Sequence, residues 1–131
     1  MRKLLLASYW VGIIADAMAT VMLFSPTVVK LTLQPAHLET TPIFLYVSRI
    51  AGALMLGWTL LLYWAKRRPI ERADILLFTL FPVVTILAIA AILVIKSNEI
   101  LIQNMIPMLL FYVVLFSMYI PSYIWAKKQQ Q

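Results

Sequence analysis

Asp16 and Arg49 are the residues of this chain with the clearest capacity for chemistry. Each stands inside a long apolar stretch, where a charged side chain costs at least ~2.5–3.5 kcal/mol on insertion scales. A carboxylate there must hold a proton, find a partner or face water. Asp16 lies eight residues before Phe24, where its stretch ends, and Arg49 six residues into the next. At 1.5 Å per helical residue these depths are roughly 12 Å and 9 Å below one membrane surface. The spacing predicts an Asp16–Arg49 ion pair between two antiparallel helices. Such a pair serves as a functional centre or, equally, as a structural clamp.

The same faces carry small residues. Ser8, Gly12, Asp16 and Thr20 recur at every fourth position, as do Arg49, Ala53 and Gly57, with Gly52 alongside. Small residues at this spacing let helix backbones approach closely in lipid. The expected packing set is therefore Ser8, Gly12, Gly52, Ala53 and Gly57. Other polar groups fall near the charged layer: Tyr112, Thr85 three residues after Pro82, and Asn104 with Gln103 at the outer mouth, near His37 and Glu39. Asp16, Arg49, Thr85, Tyr112 and Asn104 are the candidate pocket residues, with methionines such as Met55, Met105 and Met108 for walls. Each has a plainer reading. A tyrosine satisfies its own hydroxyl within a bundle, methionine is good packing material, and His37 reads as a loop histidine.

Four apolar stretches must position these groups: residues 4–24, 43–65, 74–96 and 104–126. Each has the ~20 residues that cross ~30 Å of hydrocarbon as a helix. The fold class expected is all-α, a four-helix antiparallel transmembrane bundle in a single domain, 1–131. Ser25-Pro26 ends the first helix. An outer loop, 25–42, follows, with Val28–Leu33 apolar enough to lie on the interface or cap the bundle. Thr40-Thr41-Pro42 reads as a helix start. The short inner loop makes the second and third helices expected neighbours. Pro82, Pro107 and Pro121 invite kinks, foremost in the third helix. Gln129–Gln131 reads as a frayed tail. The opening Met1-Arg2-Lys3, the apolar run to Ile14 and Ala15-Asp16-Ala17 also resemble a cleavable signal peptide. The run continues through Phe24, which favours a retained helix.

Of the 131 residues, 63% are hydrophobic and 12% charged. A soluble domain carries about 25% charged residues, so this chain could not cover a water-facing surface. The net charge of +6 is distributed by side. Arg2, Lys3, Lys66, Arg67, Arg68, Arg72, Lys127 and Lys128 share one face, against Lys30 and Lys96 on the other. The positive-inside rule puts both termini and the middle loop in the cytoplasm, with the chain in a cell membrane, which is the cytoplasmic membrane if the source is prokaryotic. The basic excess is a topology signal and an attraction to anionic lipid, not a nucleic-acid footprint.

Cysteine is absent, which excludes disulfides and thiolate metal sites, and one histidine cannot build a multi-histidine site. Three glycines form no phosphate loop, and no paired acids lie within the helices for general acid–base work. No metal is expected, and no cofactor beyond a lipid or quinone.

Ser48-Arg49-Ile50-Ala51-Gly52-Ala53-Leu54-Met55-Leu56-Gly57, with Lys66-Arg67-Arg68-Pro69 beyond it and Phe24-Ser25-Pro26 before it, resembles the small four-helix membrane proteins of the DoxX-like type. The resemblance covers the length and the first half of the chain. It implies a compact four-helix bundle, in some cases a subunit beside a quinone-linked oxidoreductase. Asp16 within Gly12–Thr20 is also similar to the helix-1 carboxylate of small multidrug-resistance transporters, where the residue is glutamate and the chain shorter and richer in glycine. The function expected is a non-catalytic membrane subunit or a binder of a small apolar ligand, lipid or quinone, near Asp16 and Arg49. The alternative is a proton-coupled small-molecule transporter using Asp16, and the third reading is a lipid-modifying enzyme. Its partners are the bilayer and a membrane-protein partner or a second copy.

Overall fold

The computed structural model describes residues 1–131. The chain is all-helical, and four of its helices are long and apolar enough to cross a membrane. Span 1 is Arg2–Phe24, span 2 Pro42–Ala65, span 3 Asp74–Lys96 and span 4 Ile102–Gln130. Their exteriors are apolar: Ile14, Met18, Leu54, Leu60, Ile86, Leu93, Leu110 and Val113 all face outward. An apolar outside is what a hydrocarbon solvent permits and water does not.

Local chemistry sets the boundaries. Ser25 takes an extended backbone before Pro26, which ends span 1. A short helix, Pro26–Leu33, then starts with proline at its first turn and stops at Gln34, whose φ of 46° is left-handed. The segment expected as an interfacial loop is thus helical, and it packs on spans 1 and 4. Asn104 Nδ2 donates to Leu33 O at 3.4 Å, and Ala36 N to Glu99 O at 2.8 Å. Thr41 caps span 2 as its sequence suggests, its hydroxyl accepting from Phe44 N at 3.1 Å. Asn98, with a φ of 60°, makes the turn between spans 3 and 4.

Span 3 carries Pro82 inside a π-helical stretch, Thr79–Val84. Proline lacks the N–H for a regular ladder, and the wider turn accommodates it. Thr85 Oγ1 donates to Leu80 O at 3.0 Å within that stretch. Pro107 and Pro121 leave span 4 helical throughout. The last turn is not frayed: the helix reaches Gln130, whose Nε2 donates to Ile70 O, and Lys127 Nζ pairs with Asp74 at 2.9 Å.

Span 1 packs on span 2 and span 4, and span 4 packs on span 3. Spans 2 and 3, expected as close neighbours, meet chiefly where Trp58 Nε1 donates to Thr79 Oγ1 at 3.1 Å. The lateral order is 2–1–4–3. The core lies toward the face that holds the termini and residues 66–73, with Leu5, Tyr9, Leu62, Leu76, Leu80 and Tyr119 fully or almost fully buried. This is called the terminal face. Basic and aromatic side chains ring it: Lys66 Nζ lies 3.5 Å from the Trp10 ring centroid, and the Arg72 guanidinium 3.3 Å from that of Trp64.

Candidate functional site

The buried face of span 4 follows a seven-residue repeat. Met105, Met108, Tyr112, Leu115, Tyr119, Ser122 and Ala126 stand at alternating steps of four and three, and each is buried or half-buried. That is the 3.5-residue period of a helix packed along its length. Two of the side chains are phenols and one is a hydroxyl. They meet the stripe of span 1 that holds Ser8, Gly12 and Asp16.

Helical side chains lean toward their own N-terminus. Spans 1 and 4 run in opposite directions, so Tyr9 leans toward the terminal face and Tyr119 away from it. The Tyr9 hydroxyl donates to Arg72 O at 2.9 Å, with Pro69 O at 3.3 Å. The Tyr119 hydroxyl sits over Gly12, where a Cβ would collide with it. The glycine is required by that close approach. Between the two phenols, Ser8 Oγ and Ser122 Oγ share a hydrogen bond of 2.9 Å.

One turn beyond Gly12 comes Asp16. Its Oδ2 is buried and has no hydrogen-bond partner, and the Tyr119 hydroxyl is likewise buried and unpartnered. These are the two buried side-chain polar atoms of the molecule left in that state. Buried polar atoms are nearly always satisfied, and an unsatisfied one costs about 1–3 kcal/mol. Both fall within one or two turns of each other in the same interface, so the cost is concentrated at one point.

The predicted Asp16–Arg49 pair does not form. The ion pairs of the molecule are Arg68–Glu71 and Lys127–Asp74, both at the terminal face. Arg49 is exposed. The reason is rotational. Span 2 buries Ser48, Gly52, Met55, Thr59 and Leu62 to differing degrees, again a seven-residue repeat. Adjacent residues are about 100° apart around a helix, so the stripe one position along, Arg49, Ala53 and Gly57, turns outward. Ala53 and Gly57 are exposed, and a Cβ on Gly57 would meet nothing within 4 Å. They are not packing residues. Gly52 is, since the Phe24 ring would lie 2.9 Å from its Cβ. Ser8 and Gly12 also pack, though against span 4 as much as span 2.

The remaining candidates separate. Thr85 is engaged in the π turn and Asn104 in holding the short helix. Tyr112 lines a cleft of about 190 Å³ between the outer halves of spans 3 and 4. Leu87, Ala91, Met105 and Met108 form its walls, and Leu33 of the short helix its lip. A larger hollow, about 300 Å³, lies among Ile95, Asn98 and Ile100–Ile102 at the turn, outside the bundle interior. His37 and Glu39 are exposed in the loop.

Compared with family models, with curated proteins and with solved structures, the chain matches none. Its own geometry carries the functional reading. Tyr9, Tyr119 and Ser122 belong to the polar interior but escaped the reading of the sequence. The signal for the last two was present in the spacing of Tyr112, Tyr119 and Ser122 along one heptad seam.

Proposed function

We propose that this chain lies in a cell membrane with both termini and residues 66–73 in the cytoplasm, and that it binds a small apolar ligand without chemical conversion. The ligand class is lipid or quinone. The topology is supported by the eight basic side chains of the terminal face against Lys30 and Lys96 opposite. The cleft between spans 3 and 4 carries the binding reading. Its walls are apolar, it lies between spans whose outer surfaces acyl chains would surround, and Tyr112 is among the residues that line it. A chain fits the walls, and a carbonyl or hydroxyl head finds a hydrogen-bond partner at the phenol.

Native mass spectrometry of the protein released from mild detergent tests this. A lipid or quinone adduct is expected on the wild type, and its loss on Ala90→Trp, which fills the cleft from an exposed lining position. A wild type that flies bare, or an adduct indifferent to that substitution, removes the cleft as the binding place.

A second reading has an observation of its own. Asp16 Oδ2 is buried without a hydrogen-bond partner and Arg49 is turned away, so no cation neutralises this carboxyl group. That is what a proton-coupled transporter of small molecules requires. Proton release on substrate addition, abolished by Asp16→Asn, would support it; release that persists in the variant would remove Asp16 from the process.

A further inference from the structure

The basic side chains of the terminal face fall into two groups. Three are answered within the molecule: Arg68 pairs with Glu71 at 3.2 Å, Lys127 with Asp74 at 2.9 Å, and Arg72 Nη1 donates to Trp64 O at 2.7 Å. Lys3, Lys66 and Arg67 are answered by no acid. The chain has five acidic residues. Glu71 and Asp74 are taken, Glu39 and Glu99 stand at the opposite face, and Asp16 lies six residues deeper in span 1 than Trp10. Aromatic rings gather the unanswered cations instead. Lys66 Nζ lies 3.5 Å from the Trp10 ring centroid of span 1 and 4.7 Å from the Tyr63 ring centroid of span 2, so one ammonium bridges the seam of two helices. The Arg67 guanidinium lies 5.8 Å from the same Tyr63 ring. Two like charges share one ring, and their repulsion is stronger at the edge of a low-dielectric layer than in water. Both rings are exposed, at 48% and 45%. Lys3, Ala7, Trp10 and Ile14 form one exposed stripe of span 1, and Arg67, Tyr63 and Leu60 one of span 2. From the terminal face inward, each passes from cation to ring to aliphatic side chain. A phospholipid has the same profile of phosphate, glycerol and acyl chain.

We propose that the seam of spans 1 and 2 at the terminal face binds an anionic phospholipid, with its phosphate held by Lys66 and Arg67 and Lys3 on the solvent side. This goes beyond the cleft ligand and is independent of it, since the cleft lies between the outer halves of spans 3 and 4. A guanidinium takes two phosphate oxygens at once and an ammonium acts as a point charge. The phosphate offsets the repulsion between Lys66 and Arg67. The rings of Trp10 and Tyr63 stand at the level of the glycerol, where tryptophan and tyrosine are enriched. A zwitterionic headgroup would bring its own ammonium against these cations, so the site selects a headgroup of net negative charge.

The test titrates the full chain in mild detergent with phosphatidylglycerol, then with phosphatidylcholine of the same acyl chains, and follows the adducts by native mass spectrometry. Phosphatidylglycerol should bind about tenfold more tightly or better. Lys66→Gln with Arg67→Gln should weaken it about twentyfold, from roughly fivefold for each basic side chain at an anionic surface. Lys3→Gln, at an exposed position, should weaken it about fivefold and serves if the double variant does not fold. Arg68→Gln with Lys128→Gln removes the same charge elsewhere on the face and should change the affinity by less than about twofold. Inorganic phosphate in excess should not displace the lipid, since it has no chains to bury, and Ala90→Trp in the cleft should leave the adduct in place. Equal affinities for the two lipids, or equal losses in the two double variants, overturn the site. Displacement by inorganic phosphate overturns the lipid as its occupant, and loss of the adduct in Ala90→Trp moves it to the cleft and overturns the seam.

Discussion

Gly12 and Gly57 have the same side chain and opposite constraints. A methyl on Gly12 would strike the Tyr119 hydroxyl, whereas one on Gly57 meets open space. Gly12→Ala should therefore destabilise the fold by about 1–3 kcal/mol, the usual cost of overpacking. Adding Tyr119→Phe should recover much of that loss. Gly57→Ala should raise stability by about 0.5–1 kcal/mol through helix propensity. Unfolding midpoints in mild detergent rank all three. The two buried phenols differ in the same way. Tyr9→Phe removes one of the two donors to Arg72 O, leaving Ile75 N at 3.2 Å, and should cost about 0.5–1.5 kcal/mol, while Tyr119→Phe removes a hydroxyl that bonds to nothing and should be neutral or stabilising. Asp16 and Arg49, predicted as partners by depth, should behave as strangers. A double-mutant cycle should return additivity within about 0.3–0.5 kcal/mol. Depth along a helix follows from residue number, which is why both charges were placed at similar levels. Direction around the helix depends on which face its neighbours select, and Ser48–Gly52 was selected rather than Arg49–Ala53.

The helices themselves were legible because apolar length is a local property. Residues 4–24, 43–65 and 74–96 differ from the spans by two residues at most, and Ser25-Pro26 and Thr41 act as their types suggest. Two features needed the third dimension. Polar Gln129 did not signal helix, yet span 4 runs to Gln130, where Ile70 O and Asp74 receive its last turn. Pro82 promised a kink, and the form it takes is a π turn, Thr79–Val84, that opens at Thr79. The Thr79 hydroxyl donates to Ile75 O at 2.8 Å and accepts from Trp58 at 3.1 Å, so one side chain both follows the turn and joins span 3 to span 2. Thr79→Val and Trp58→Phe should each cost about 0.5–1.5 kcal/mol. Their effects should couple by at least about 0.5 kcal/mol, since both delete the same bond. Additive losses would mean that spans 2 and 3 are held together elsewhere.

For the whole molecule, the packing order 2–1–4–3 was hidden from the sequence. A short connection suggests adjacency, but span 1 packs along span 2 on one side and span 4 on the other, and that fit outweighs the loop. Sidedness is another matter, because it is written in charge. The termini and residues 66–73 occupy one face as a matter of structure, joined through Lys127–Asp74, Gln130–Ile70 and Tyr9–Arg72. Eight basic residues against two are the ground on which we propose that this face meets the cytoplasm. The chain has no cysteine, so single cysteines can report on it without background. Arg67→Cys, Gln129→Cys and Lys30→Cys place thiols at exposed positions on the two faces. An impermeant maleimide applied to intact cells should label only the thiol at position 30, with 67 and 129 reacting after permeabilisation. If 67 and 129 differ from one another, the four-span bundle is wrong. If they agree and label from outside, the bundle stands inverted.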